Sequence, residues 1–394
     1  MFDGAIRGRP PPLLSRNFVT LLAAQASFGY AFSSFFMLPK FLVTELSAGP
    51  AEVGRVAAAY GVAVIVLIPA MGVLVDRFGR RRFMTLGALL MAAVSGLFAA
   101  VSEVGPLIYA LRAAQGLAFA MVFVGGSTLA VDEAPAERVG QAIALFGLTM
   151  LSMNGVAAAG VEAIAASAGW PWAFIAAAAA AAVCALLSRR LSDGGVAGRD
   201  EETSGLWQVA SRPGLAPIWV VIGLAGAAMS SVVTYHQPFA IALGIENVSG
   251  FFVAYALAAI VVRAGLGHFI DRAGRRRVAI AALCLYSLVV TAMAKLAGVA
   301  GLALLGAGFG VAHGFFYPAL NSVAVSGVRS NERGKVMALF QGAFHVGFAG
   351  SALAFGALAE IAGYPPIFYG GGLCALVALI VLAASSGSPG PDHS

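Results

Sequence analysis

The stretch GVLVDRFGRRRFM at residues 72–84 returns as GHFIDRAGRRRVA at residues 267–279. Gly72, Asp76, Arg77, Gly79 and Arg80–Arg82 recur as Gly267, Asp271, Arg272, Gly274 and Arg275–Arg277, 195 positions on in a chain of 394 residues. A weaker echo follows at an offset of 194, where Ala144-Leu145-Phe146 reappears as Ala338-Leu339-Phe340. Two matches at nearly one offset, each in the same place in its half, imply a tandem repeat rather than chance.

Each copy of the motif is flanked by long apolar runs. Hydrophobic residues make up 60% of the chain and charged residues 11%, against about 25% charged in a soluble domain. So few charges exclude a soluble globular enzyme, and such apolarity excludes disorder. A bilayer-crossing helix needs about 20 mostly apolar residues. Twelve segments qualify: 17–40, 52–75, 83–103, 105–131, 138–166, 170–189, 213–241, 248–270, 278–297, 299–325, 333–361 and 364–386. No barrel-type alternation is present, so the expected class is an all-α membrane protein of twelve transmembrane helices in two six-helix bundles. The expected organisation is a short N-terminal segment 1–16, a bundle 17–190, a Gly- and charge-rich linker 191–212, a second bundle 213–386 and a tail 387–394. The first segment is read as a retained helix rather than a cleaved leader. It is about 24 residues long, carries Gln25, Tyr30 and Lys40, and lacks a small-x-small cleavage site.

Basic residues give the orientation. Arg7, Arg9, Arg16, both arginine clusters, Arg138, Arg189, Arg190, Arg199, Arg212, Arg329, Arg333 and Lys335 fall on one side, while Glu45, Glu103, Glu246 and Glu360 mark the other. The rule that basic loops stay inside predicts cytoplasmic termini in an inner membrane. The net charge of +6 is therefore a statement about topology, and no nucleic-acid partner is expected. Cys184, Cys284 and Cys374 form no CxxC pair, so neither a disulfide framework nor a metal site is expected.

In the repeated turn, Gly79 and Gly274 permit a sharp reversal. Asp76 and Asp271 can accept charge-assisted hydrogen bonds at a helix end, and the arginines hold the turn at an anionic leaflet. The arrangement serves as a topology anchor or as a conformational latch. The motif at 72–81 resembles the loop between helices two and three of the major facilitator superfamily. The six-plus-six layout, the central linker and the second copy after helix eight share that resemblance across essentially the whole chain. Arg112-x-x-Gln115-Gly116 resembles that family's Arg-x-x-Gln-Gly element on helix four. The resemblance implies a gate between bundles at Gly72, Asp76, Arg77, Gly79, Arg80, Gly267, Asp271, Arg272, Gly274 and Arg275, and a coupling or substrate role for Arg112. Two features depart from the family's proton antiporters. Helix five has no Gly-Pro pair, and helix one has no interior acid.

Charge in hydrocarbon is costly, so ionisable residues there usually face a cavity. Arg112 and Arg263 each sit eight residues from a predicted helix edge, about 12 Å at 1.5 Å per residue. Arg263 can also snorkel. His313 and His345 lie near mid-helix and can titrate near neutral pH. Arg112, Gln115, Arg263, His313 and His345 are therefore the candidates for substrate or proton coupling. Gln25, Tyr30, Asn154, Tyr235, His236, Tyr317, Asn321 and Gln341 are candidates to line a polar cavity, and each is equally suited to hold helices together.

The phosphate loop, the dinucleotide fingerprint, the His-Glu-x-x-His helix and the nucleophile elbow are all absent from the sequence. No enzyme activity and no cofactor are expected. The expected function is secondary transport by alternating access, leaning to proton-coupled efflux of a small organic molecule by a monomer in the lipid bilayer. The alternatives are a facilitator or proton-coupled importer of a sugar or organic anion, and a lipid-translocating or sensor protein of the same fold.

Overall fold

A computed structural model describes residues 13–135, 138–192, 205–212, 214–265, 272–326, 328–329 and 332–385, with backbone alone at 68–73, 76, 77 and 206. Among these residues lie twelve long helices. The first half holds α1 (Arg16–Thr44, passing through a 3-10 turn at Phe35–Met37), α2 (Pro50–Phe78), α3 (Arg80–Leu97), α4 (Pro106–Asp132), α5 (Val139–Ala168) and α6 (Trp170–Ser188). The second holds α7 (Ala216–Ala242), α8 (Ser249–Gly265), α9 (Arg275–Ala292), α10 (Gly298–Val325), α11 (Arg333–Ala362) and α12 (Pro365–Ala384). Eleven are long and apolar enough to cross a bilayer, and α8 is apolar over its 17 described residues. The N-terminal stretch 1–12, most of the expected linker (193–204) and the tail from 386 lie outside the described residues. The described end of the linker carries a short helix, Leu206–Ala210, tied down by Trp219 Nε1 donating to Ala210 O at 3.0 Å.

The helices begin and end where local chemistry dictates. Proline occupies the first turn of α2, α4, α6, α7 and α12, where its missing N–H removes no hydrogen bond. Gly79 and Gly274, at φ 89°, stand between α2 and α3 and before α9. Gly169 (φ 94°) and Gly363 (φ 76°) separate α5 from α6 and α11 from α12. A side chain would strain each of these left-handed positions. The first pair is 195 residues apart and the second 194.

Packing obeys the same repeat. In the first half α1 packs on α5 and α6, α2 on α4, and α3 on α4 and α6. In the second, α7 packs on α11 and α12, α8 on α10, and α9 on α10 and α12. The bundles meet through α2 with α11 and α5 with α8, which are also equivalent pairs. Small residues let these helices close up. A Cβ on Gly61 would sit 3.0 Å from Ala349 Cβ, and one on Gly155 3.2 Å from Ala256 Cβ. Ala256 is the repeat partner of Gly61 and Ala349 that of Gly155, so the glycine has changed helix between the two crossings.

The apolar core differs between the two faces of the molecule. On the face carrying the arginine-rich turns, the basic face, the described residues form two cores. One gathers Phe18, Phe28, Met84, Phe119 and Phe146; the other gathers Ile218, Leu283, Phe316, Val336 and Phe340. Toward the opposite face a single core runs through both bundles, with Phe35, Val53, Leu151 and Phe174 joined to Tyr235, Phe251, Phe309 and Phe355. Large apolar side chains such as Val66, Leu186, Leu304 and Ile380 stay exposed around the perimeter, as lipid contact requires.

Candidate functional site

The repeat extends into side chains. Tyr60 on α2 and Tyr255 on α8 are 195 residues apart, and their carbonyls face Gly116 on α4 and Gly310 on α10, themselves 194 apart. From each tyrosine a ladder of rings climbs its bundle. In the first half, Tyr60 pairs with Phe119 (6.1 Å between centroids), Phe119 with Phe123 (5.3 Å) and Phe123 with Phe146 (6.3 Å). In the second, Tyr255 pairs with His313 (5.8 Å), His313 with Tyr317 (5.5 Å) and Tyr317 with Phe340 (5.6 Å). Every rung has its partner 194 or 195 positions away. The scaffold is the same and the chemistry is not, because two phenylalanines in one half stand where a histidine and a tyrosine stand in the other.

The polar rungs are wired together. Tyr255 Oη lies 3.1 Å from His313 Nδ1, and Tyr317 donates to Gln341 Oε1 at 2.5 Å. His345 Nδ1 donates to Gln341 O at 2.8 Å, and its ring stands 6.0 Å from that of Tyr60 in the other bundle. Arg112 completes the belt. Its guanidinium lies 5.0 Å over the Tyr60 ring, donates to Gln115 Oε1 at 2.7 Å and reaches Val56 O at 3.4 Å. A cation over an aromatic face is held electrostatically where water is excluded. Arg263 approaches the second ladder from α8, within electrostatic reach of Tyr255, His313 and Tyr317. Its Nε is buried without a hydrogen-bond partner among the described residues. The structure thus gathers Arg112, Gln115, Arg263, His313, His345, Tyr317 and Gln341 into one belt. Tyr60 and Tyr255 belong to it and were not anticipated, although their shared offset of 195 was present in the sequence.

A second polar constellation clasps the bundles at the opposite face. Pro39 has no N–H, and α1 is interrupted at Phe35–Met37. Gln237 of α7 inserts its carboxamide there, donating to Phe36 O at 2.6 Å and accepting from Lys40 N at 3.3 Å. Lys40 Nζ pairs with Glu162 of α5 at 2.7 Å and donates to Glu246 O at 2.6 Å. Glu162 also accepts from the backbone of Val248 and Ser249, each at 3.0 Å, at the start of α8. One carboxylate therefore holds a lysine of its own bundle and a helix N-terminus of the other, where the helix dipole favours negative charge. Lys40, Glu162 and Gln237 were not expected here. They lie far apart in sequence, and only tertiary packing joins them.

At the basic face, Arg80 pairs with Asp132 at the end of α4. Arg81 Nη1 donates to Leu191 O at 3.4 Å, just beyond α6. Its repeat partner Arg276 donates to Leu382 O at 2.8 Å and to Ser385 O, at the end of α12. Each thus ties the start of the third helix to the end of the last helix in its own bundle. Arg272 and Arg275 are exposed. Gly72, Asp76 and Arg77 lie on the last turns of α2 with only their backbone described, and Gly267 and Asp271 lie outside the described residues.

The remaining expected residues fall elsewhere. Gln25 is fully buried within the first bundle, its amide unpaired among the described residues. Tyr30 lies against Gly160, and Asn154 Oδ1 accepts from Ser33 at 2.7 Å. Tyr235 is fully buried and donates to Ala352 O. His236 donates through Nδ1 to Val232 O at 2.7 Å, its ring 4.3 Å from that of Phe251. Asn321 is half-buried one turn beyond Tyr317. Among the described residues no cluster of side chains suits a metal ion.

Comparison with known proteins agrees with this architecture. The family model described as the Major Facilitator Superfamily matches residues 19–272 and 247–393. The chain is 30% identical over 121 residues to the uncharacterized MFS-type transporter YfiU of Bacillus subtilis (strain 168). That alignment spans 29% of this chain and 22% of YfiU. Among solved structures, a point mutant of the nucleoside transporter NupG superposes with a TM-score of 0.81 at 14% identity, covering 93% of this chain and 99% of its own. An auto-inhibited POT family peptide transporter gives 0.77 at 12%, covering 94% and 96%.

Proposed function

The chain belongs to the major facilitator superfamily, and from that premise we propose that it is a secondary transporter exporting a small organic molecule by proton-coupled alternating access. The observation that carries the alternating-access reading is the unequal joining of the bundles. One apolar core and the Lys40–Glu162–Gln237 clasp unite them at the opposite face, while at the basic face the described residues form two cores, one in each bundle. This inequality supports the reading of a carrier closed on one side. On the positive-inside reading, the closed side is the exterior and both termini are cytoplasmic.

In the exchange of states, the clasp parts as the basic face closes. The symmetric crossings of α2 with α11 and α5 with α8 allow this, because small side chains present little relief to sliding. The repeated turns take up the clasp's role at the other face, with Asp76, Arg77, Asp271 and Arg272 as their polar partners. His313 and His345 are the proposed sites of proton coupling, since both lie in the hydrogen-bonded part of the belt and can exchange protons without placing an unpaired carboxylate in lipid.

The test is accumulation into inside-out vesicles bearing the full chain. They are exposed to a metabolite extract and a drug panel, with and without an imposed proton gradient, and read by mass spectrometry. Gradient-dependent accumulation of one compound is expected. Accumulation indifferent to the gradient would remove proton coupling, and accumulation only in right-side-out vesicles would replace export by import. Asp76→Asn should lower turnover more than apparent affinity, and unchanged turnover would reduce the turn to a topology anchor.

A further inference from the structure

The two ladders present different chemistry from equivalent positions, and this difference defines what fits between them. On the first bundle, Phe32 of α1 joins Phe119 at 4.8 Å and Tyr60 at 5.9 Å. With Phe123 they make an aromatic wall free of hydrogen-bonding groups except the Tyr60 hydroxyl. Arg112 is already engaged there by Gln115, Val56 O and the Tyr60 ring. On the second bundle, the matching positions bring His313 and Tyr317, backed by Gln341. Arg263 of α8 is within electrostatic reach of His313 and Tyr317, and the residue 195 positions before it is Ile68. The guanidinium of Arg263 keeps a buried Nε unpaired among the described residues. A buried guanidinium N–H without an acceptor is costly, and a carboxylate relieves it through short, charge-assisted bonds.

Resting on the transport reading above, we infer that the substrate is a flat aromatic monoanion bound with a fixed polarity. Its ring lies against the half-buried Phe32 and Phe123 of the first bundle, backed by the buried Phe119, and its carboxylate is turned to Arg263, His313 and Tyr317 of the second. The aromatic wall offers offset or edge-on ring contacts, and the polar wall supplies the donors that fix orientation. Neither wall alone selects this class. A purely apolar solute offers no acceptor to the Arg263 guanidinium, and a small hydrophilic anion leaves the phenylalanines without a partner.

Equilibrium dialysis on the full chain in nanodiscs tests this with three probes: 2-naphthoate, its neutral analogue 2-naphthamide, and octanoate. The naphthoate is expected to bind at least ten-fold more tightly than either of the others. Arg263→Gln should lower naphthoate affinity about ten-fold and naphthamide affinity much less, so that the preference for naphthoate is lost, while Arg263→Lys restores part of it. Phe119→Ala and Phe123→Ala should weaken naphthoate and naphthamide alike, by about the same factor. Equal losses of both ring probes in Arg263→Gln would overturn the assignment of the anion to Arg263. Octanoate binding as tightly as naphthoate would overturn the aromatic wall. The transport reading fails separately. A vesicle screen in which cations or sugars move and naphthoate does not bind sinks the substrate class alone. Naphthoate binding with selective loss in Arg263→Gln, but no solute movement, sinks transport and leaves the site.

Discussion

The two bundles are one scaffold carrying two surfaces. Tyr60, Phe119, Phe123 and Phe146 on one side answer to Tyr255, His313, Tyr317 and Phe340 on the other, rung for rung, at similar ring separations. Elements that must stay alike for the fold have done so: the turn glycines, the helix pairings and the arginine ties at Arg81 and Arg276. Among the differences, those along the two ladders change the chemistry of matched positions. Specificity in such a molecule is best sought where the repeat is broken.

The comparison can be broken most severely at the crossings. Gly54 of α2 is pressed against Ala352 O and Tyr235 Oη, whereas the matching position on α8 is Ser249 at a helix start. Gly54→Leu should abolish transport and lower thermal stability by about 3 kcal/mol or more, as overpacking in a close crossing does. Ser249→Leu should cost far less. Circular dichroism melts and vesicle transport on the two variants decide it.

The clasp is the next largest asymmetry. Position 40 is lysine and its repeat partner is Tyr235; Glu162 answers to Gly356. Glu162→Gln leaves Lys40 without its carboxylate and weakens the hold on Val248 and Ser249. The expected cost is about 2–4 kcal/mol of preference for the closed face. Cysteine cross-linking across the opposite face should fall accordingly. Lys40→Met combined with Glu162→Gln should recover part of the loss. Tyr235→Phe, which removes only a neutral hydrogen bond, should cost about 1 kcal/mol.

A smaller effect separates the ladders. His313→Phe makes the second ladder resemble the first and should weaken substrate affinity about ten-fold, equivalent to ~1.4 kcal/mol. Phe119→His, the reciprocal change, should shift affinity less, since the Tyr60 hydroxyl makes no hydrogen bond among the described residues that the new ring would replace. Binding isotherms on both variants sharpen the assignment of roles. The smallest contrast is between Arg81→Ala and Arg276→Ala. Each removes a tie to the end of its bundle's last helix, worth about 1 kcal/mol. Arg276 should matter slightly more, because its bond to Leu382 O is 2.8 Å against 3.4 Å for Arg81 to Leu191 O. Melting temperatures of the two proteins read it.

The sequence carried the twelve helices and the duplication openly, because apolar length and a charged turn are local signals. The ladder was hidden by two things. Its offset steps from 195 to 194 in the connection between the third and fourth helices of each half, and its middle rungs differ in identity, Phe119 against His313 and Phe123 against Tyr317. Arg112 stood out as a charge within an apolar run, but what it touches did not, since Val56 and Tyr60 lie on another helix. The clasp was hidden for a further reason. Glu162 and Lys40 each read as a lone charge near the end of a span, and their pairing is fixed only when α1, α5 and the start of α8 converge. Tyr235 and His236 read as polar residues within a span, but their partners, Ala352 O for one and Val232 O with the Phe251 ring for the other, come only with packing.

The close crossing of α2 with α11 also bears on how the protein is made. Gly54 and Ala352 are about 300 residues apart, and synthesis runs at roughly 5–20 residues per second. The small-residue stripe of α2 therefore waits about 15–60 s for its partner after it leaves the ribosome. During that time the first bundle can close on itself through α1 with α6 and α3 with α6, while its mating face stays open to lipid or to other nascent chains. Glycine and alanine, which offer little grip to a wrong neighbour, suit a surface that must remain unoccupied until the eleventh helix arrives.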